Sequence, residues 1–346
     1  MTRRNTTHTQ LIKVAALTGG WNDPASRFRI RQYIPRLAQE GIAVQEHIPV
    51  FGKSCGLPSP FKICARIPAV FRSRDADVVW ISRELVQGYE TFERFLRHPR
   101  VMDVDDAIWL SSPFGRVAAP RIAHAMDAVI TGNDYLADYF SQYCKTVYVV
   151  PTAIDLNRYK LRPAENVPSE KFIIGWTGLG SNYKYIKPIA PVLGRFVQKH
   201  KNAEVMLISN LSWKCKLLPS EKVKLVPWSE ATETTALHLM SVGIMPLTDD
   251  EWSRGKCSFK MLQYMAAGLP VIVSPVGMNR TVLQKGRCGF AASSLDEWYD
   301  ALECLYANRS LQVELGQQGR KIVEQFYNAN TIATELASIF KSLLGK

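Results

Sequence analysis

The sequence predicts an α/β protein made of two doubly wound parallel α/β domains in tandem. Three observations predict it. Short apolar runs alternate with helical segments along the chain. The alternation breaks once, in a proline-rich polar stretch at 151–171, and then restarts. The length of 346 residues suits two domains at the usual ~100–200 residues each.

The first domain is expected over 1–155. Leu11–Thr18 is an apolar run ending in Gly19-Gly20, the pattern of a buried parallel strand followed by a tight loop. A helix is expected next, with Ser26 as its N-cap, Phe28, Ile30, Ile34, Leu37 and Ala38 at helical spacing, and a kink or early end at Pro35. Further strands are expected at Asp77–Ser82, Arg100–Val104, Asp127–Thr131 and Thr146–Val150. The second domain, 156–328, restarts with Phe172–Thr177 and continues through Ala203–Ser209, Val223–Trp228, Val242–Leu247 and Pro270–Ser274. Helices close the chain from Ser294, and a terminal helix over 329–346 is expected to return to the first domain.

Composition narrows the function. Seven cysteines without a C-x-x-C pair favour a reducing, cytoplasmic setting, and no Cys/His spacing suits a structural metal. No apolar run approaches the roughly 20 residues that span a bilayer. The basic N-terminus lacks an apolar stretch and reads as a tail, not a signal peptide. The net charge of +12 points to an anionic partner, though no nucleic-acid motif accompanies it. Between His47 and Arg74 lie Lys53, Lys62, Arg66, Arg72 and Arg74 with no acid, interleaved with Phe51, Phe61, Ile63, Ile67, Val70 and Phe71. This stretch suits either an anionic membrane surface or a solvated basic face over a core stripe.

In open parallel sheets ligands bind beyond the carboxyl ends of the strands. After Phe172–Thr177 come Gly178 and Gly180, Ser181 or Asn182 as a helix cap, and Lys184: a candidate phosphate loop. After Val242–Leu247, an amphipathic helix is expected with Ser258 as N-cap, and with Arg254, Lys256 and Lys260 around its start. Cations there oppose the helix dipole, and a bound diphosphate resolves the conflict. The expected site thus includes Lys256 and Lys260 as phosphate clamps. In the first domain Gly19, Gly20 and Arg27 follow strand one. Asp103, Asp105 and Asp106 end another strand, with Asp105 or Asp106 expected to meet an acceptor hydroxyl or, alternatively, an aspartate to cap the helix near Trp109. His124 reads as structural.

The stretch Gly243–Leu247 with Trp252–Asn279, together with Phe172–Ile186, Ile130–Phe140 and Val149–Tyr159, strongly resembles glycosyltransferase family 4, retaining sugar-nucleotide transferases of the GT-B fold. The likeness covers nearly the whole chain. It implies two Rossmann-like domains facing across a cleft, the first holding an acceptor and the second a nucleotide-diphosphate sugar. It also implies transfer without a metal or other cofactor, by front-face attack. The acceptor would be a glycan or lipid-linked saccharide in cell-surface polysaccharide synthesis.

Two family glutamates fall here on Gly255 and Gln263, and the family's arginine–lysine pair falls on Leu179 and Lys184. Lys256, Lys260 or Arg254 would then supply the missing charge, and Asp249, Asp250 or Glu251 the missing acid. Gln263 would bind ribose, so that Gln263→Glu keeps or improves affinity. Phe259 lies in the same donor segment, and Trp228 is placed for the base, uridine or guanosine. Lys184 and Lys256 carry the leaving-group charge. The rival implications are another GT-B enzyme, such as a sugar-nucleotide epimerase, and a degenerate, non-catalytic binding subunit.

Overall fold

The computed structural model describes residues 11–51, 58–163, 170–213 and 215–345. The N-terminal tail, Lys53 and the middle of the proline-rich stretch lie outside the described residues. The chain divides into two compact units, Met1–Ala153 with Ala329–Lys346, and Ile154–Asn328.

The first unit holds β1 (Ile12–Leu17), β2 (Ile42–His47), β3 (Val78–Ser82), β4 (Arg100–Val104), β5 (Ala128–Thr131) and β6 (Val147–Val149). They form one parallel sheet in the order β2-β1-β3-β4-β5-β6. Its helices are α1 (Ile34–Gln39), α2 (Ser59–Cys64), α3 (Ile67–Arg72), α4 (Gly115–His124) and α5 (Asp134–Phe140). The C-terminal helix, Ala329–Leu343, packs into the same core through Ala333, Leu336 and Phe340. Phe340 meets Trp80 of β3 edge-on at 5.1 Å.

Two expectations fail in this unit. Ser26 does not cap a long helix. Its N–H and hydroxyl both donate to Asp23 Oδ2, at 2.9 and 2.6 Å, and its Oγ accepts from Gly19 N–H, so it closes the loop after β1. The chain then winds through a π-turn at Ser26–Ile30 and a 3-10 turn at Arg31–Tyr33 before α1. Pro35 has no N–H to give, so it stands in the first turn of α1 and does not kink it. Strand β2 escapes the sequence pattern because it is an edge strand, and Gln45 and Glu46 face water in part.

The second unit holds β7 (Phe172–Thr177), β8 (Ala203–Ser209), β9 (Val223–Pro227), β10 (Val242–Met245), β11 (Val271–Val273) and β12 (Gly289–Ala291), in the parallel order β12-β11-β10-β7-β8-β9. Its helices are α6 (Tyr183–Ile186), α7 (Ala190–Lys199), α8 (Glu233–Leu237), α9 (Glu251–Arg254), α10 (Phe259–Ala266), α11 (Met278–Leu283), α12 (Leu295–Ala307) and α13 (Arg309–Phe326). The three-residue β12 is a second edge strand that the pattern does not reveal.

Helix α10 is buried from Met261 to Ala266, on every side, and so is not the amphipathic surface helix that its spacing suggests. The reason lies in two neighbours. On one side Tyr264 lies on Gly243 of β10, where an added Cβ would come within 2.2 Å of the ring. On another, α13 brings Gly319 against Met265. Tyr264 OH also accepts from the N–H of Thr177, the last residue of β7, at 2.9 Å. One side chain therefore fixes α10 against two adjacent strands.

This contact sets a stability test. Gly243→Ala overpacks the ring and is expected to cost about 1–3 kcal/mol. Tyr264→Phe keeps the ring but strands the Thr177 N–H, for about 1–3 kcal/mol. Denaturant midpoints check both, and a Gly243→Ala protein as stable as the parent would refute the packing account.

Candidate functional site

Each sheet has one place where the strand order reverses. In the second unit it lies between β7 and β10, and in the first between β1 and β3. The crevice beyond the strand ends at such a point is where doubly wound sheets hold ligands. In the second unit the segments there are those that follow Thr177 and Met245: they carry Gly178 and Lys256 in loops, Lys184 in α6 and Lys260 in the first turn of α10.

The structure brings these lysines onto aromatic faces. Lys184 and Lys256 both lie over the ring of Tyr185, their Nζ atoms 5.0 and 5.7 Å from its centroid. Lys256 also lies 5.7 Å from Trp252, and Lys260 is 5.3 Å from Trp176 at the end of β7. Such contacts hold an ammonium group in place at about 0.5–1 kcal/mol each when exposed. A Cβ at Gly178 would stand 2.6 Å from Lys260 Cε and 2.8 Å from the Trp176 ring, so a side chain there would displace this lysine–tryptophan contact. Gly180 serves packing instead: a Cβ would strike Leu211, and its N–H donates to Asn210.

Several expected roles change. Neither Ser181 nor Asn182 caps α6 through its side chain. Ser258 precedes α10 with a left-handed backbone, φ 52°, and its hydroxyl donates to Asn279 Oδ1 at 2.7 Å instead of capping the helix. Arg254 is paired with Asp249 at 2.6 Å, which holds that carboxyl below its usual range. The pairing directs its guanidinium to a neighbouring acid. Asp250 caps α9 by accepting from Ser253 N–H and is further bonded by Thr248. These local bonds engage two of the three acids suggested as substitutes at Gly255, Asp249 and Asp250, while Glu251 is the exposed first residue of α9.

The nucleoside-side candidates converge on a residue that the sequence reading missed. Gln263 is 3% exposed, and its amide donates to Tyr159 OH at 2.8 Å and to Glu233 Oε1 at 3.0 Å. Glu233, the first residue of α8, also accepts from Trp228 Nε1 at 3.2 Å, Tyr159 OH at 2.8 Å and Arg158 at 2.8 Å. Phe259 stands edge-on to Tyr159 at 6.5 Å. Burial and the Glu233 carboxylate push the Tyr159 phenol well above its ordinary pKa, so it stays a donor. A glutamate at 263 would set a second carboxylate against Glu233, so Gln263→Glu is not the benign exchange that the sequence suggests. Glu233 carries no pattern of its own, and only folding brings it to position 263.

In the first unit the reversal point gathers a different set. Gly19 is bonded to Ser26, and Gly20 has φ 145°. Arg27 is half-buried, 4.8 Å from the Phe28 ring. The three aspartates at the end of β4, Asp103 within it and Asp105 and Asp106 just beyond, are reconciled by arginines. Asp103 is buried and paired with Arg29 at 2.8 Å, while Arg83 binds Asp105 at 2.5 Å and Asp106 at 2.8 Å. Burial lowers the Arg83 pKa, but the two carboxylates outweigh it and hold it well above the usual value. Arg83 adopts φ 58°, a conformation that costs a non-glycine residue energy and so depends on these contacts. No aspartate caps a helix at Trp109, where the chain forms a 3-10 turn. His124 is the exposed last residue of α4.

The basic stretch forms α2 and α3. Arg66 leaves the expected surface set: it is 2% exposed, donates to Thr18 O at 2.5 Å, and is pushed down to about 10 by burial. Lys62 is half-buried, and Arg72 and Arg74 are exposed. Helix α2 buries none of its residues, and Phe61 and Phe71 are 62% and 55% exposed.

Known structures with the same architecture were found. HepE from Anabaena in complex with UDP-glucose superposes with a TM-score of 0.73 at 13% identity, covering 96% of this chain and 100% of that one. Sucrose-phosphate synthase from Thermosynechococcus elongatus gives 0.71 at 13% identity, covering 96% and 99%. A glycosyltransferase from Rickettsia africae gives 0.66 at 10% identity, covering 96% and 99%. No curated protein matches the chain in sequence. The likeness shows the GT-B fold, two doubly wound parallel α/β domains. Residues 171–308, which contain the lysines, Glu233 and Gln263, match the family model described as Glycosyl transferases group 1.

Proposed function

We propose that the protein is a retaining glycosyltransferase that moves a sugar, of hexose type, from a nucleotide-diphosphate sugar to a glycan or lipid-linked saccharide in cell-surface polysaccharide synthesis. The observation that carries this reading is the gathering of Lys184, Lys256 and Lys260 around Tyr185 and Trp176, at the reversal point of a sheet inside the matched segment. A nucleotide-diphosphate leaving group gains negative charge as the glycosidic bond breaks, and fixed cations stabilise that charge most where it develops. The released diphosphate oxygen takes the acceptor proton in a front-face attack. Asp105 or Asp106, held by Arg83, receives the acceptor hydroxyl, and Gly19, Gly20 and Arg27, which follow β1 in the same unit, serve the acceptor side. No metal or other cofactor is assigned a role.

The lysines give the decisive test. In Lys256→Ala or Lys260→Ala, turnover should fall at least ~tenfold, or ~1.4 kcal/mol in the barrier. Stability should change little, because half-exposed lysines contribute little to it. Unchanged kinetics in a folded double variant would sink the proposal. The glycine at 255 favours a second reading, a non-catalytic nucleotide-sugar-binding subunit. Assays for sugar transfer and for free-nucleotide release, across candidate acceptors, separate the two, and product anomer analysis separates retention from inversion or epimerisation.

The first unit is proposed to dock on the inner, cytoplasmic face of an anionic membrane. Phe61, Ile67 and Phe71 stand exposed on α2 and α3 beside Lys62, Arg72 and Arg74, a match for acyl chains below a negative headgroup layer. In Phe61→Ser, Phe71→Ser, Arg72→Gln, Arg74→Gln, binding to phosphatidylglycerol vesicles should drop while nucleotide binding persists. The charge-dependent part should also fade at high salt, as the Debye length shrinks below ~8 Å. Equal vesicle binding by parent and variant at low salt would remove this surface. Arg66 stays unaltered in this test because it is buried.

A further inference from the structure

We infer that Glu233 is a positioning residue for the nucleoside half of the donor, an inference that rests on reading the second unit as the nucleotide-sugar site. The argument begins with proton counting. Tyr159 gives its single phenolic proton to Glu233 Oε2, so its oxygen must accept from Gln263. Glu233 Oε1 likewise can only accept. Both hydrogens of the Gln263 amide are thereby assigned, one to each neighbour, and its orientation is fixed. The amide oxygen is directed away from the pair as an acceptor suited to a sugar hydroxyl.

The same carboxylate acts on a second side chain. Trp228 follows β9 with its backbone N–H bonded to Ser209 O, the end of β8. Its indole N–H is bonded to Glu233, yet the residue remains 37% exposed. A tryptophan serving the core alone would be covered. This one is pinned at its polar edge and open over part of its ring, the form of a wall for a planar base. Arg158, bonded to Glu230 and Glu233, braces the carboxylate from its outer side. Glu233 thus orients two groups that would touch ligand while being 4% exposed itself.

Titration calorimetry with UDP, GDP and inorganic diphosphate tests this. In Glu233→Gln, an amide NH2 replaces one carboxylate oxygen and, being a donor, faces N–H and O–H groups that need an acceptor. Affinity for whichever nucleoside diphosphate the parent binds should fall at least ~tenfold, and affinity for inorganic diphosphate should stay within about twofold. Trp228→Phe keeps a ring and deletes the N–H. It should show part of the same loss and add less than its own effect when combined with Glu233→Gln, as expected for residues acting through one contact. A folded Glu233→Gln protein that binds the nucleoside diphosphate like the parent overturns the inference. So does an equal loss for inorganic diphosphate, which would make the residue a general support. If Glu233→Gln does not fold, Trp228→Phe decides alone: parent-like nucleoside affinity overturns the inference, and selective loss supports it. A parent protein that binds neither UDP nor GDP refutes the donor reading itself, a different result from an insensitive variant.

Discussion

The contact of Tyr264 with Gly243 governs the second unit. A ring can lie on a strand only where the strand has no side chain, and Gly243 is paired in register with Gly175 of β7. At Gly175, an added Cβ would stand 1.9 Å from Met240 Sδ, so both glycines at the centre of this sheet admit a neighbouring side chain. Tyr264 then ties α10 to the end of β7 through Thr177. The lysine before α10, the lysine in its first turn and the loop after β7 depend on that anchor for their relative positions. Packing in the core sets the geometry of charges at the edge.

The excess of positive charge is distributed unevenly in role. In the first unit Arg29, Arg66 and Arg83 are built into the fold: Arg29 neutralises a buried aspartate, Arg66 binds a backbone carbonyl, and Arg83 bridges two carboxylates. Arginine suits this because its planar fork serves several acceptors at once. In the second unit lysines lie in the segments that follow β7 and β10 and rest on aromatic rings. A compact ammonium on a flexible stem suits a diphosphate whose oxygens change charge during a reaction. The formal charge therefore overstates the surface available to a membrane, and the local set on α2 and α3 is smaller than the sequence suggests.

Position 263 shows how a segment can depart from the pattern it resembles without losing coherence. The notion that glutamine weakens the site treats the residue alone. With Glu233 beside it, an amide is the complementary partner, because it donates to the carboxylate and to Tyr159. A carboxylate in the same place would oppose one already buried. The acid is present in this neighbourhood, on α8 instead of α10.

The sequence by itself determined the class of fold. The apolar runs of β1, β3, β4, β5, β7, β8, β10 and β11 are buried along nearly their whole length, which leaves a continuous hydrophobic signal that survives without context. It also located the lysines, since strand ends can be read once strands are known. Tertiary structure alone decided the rest. The edge strands β2 and β12 carry mixed patterns because one side meets water. Ser26 and Ser258 follow cap preferences in sequence, yet their hydroxyls bond to Asp23 and Asn279. Asp249 and Arg254 are a local pair that charge counting could not foresee as such. Glu233 and Gln263 are thirty residues apart. Hydrophobic burial is written in local periodicity, whereas a hydrogen bond between distant side chains exists only after the strands between them have found their order.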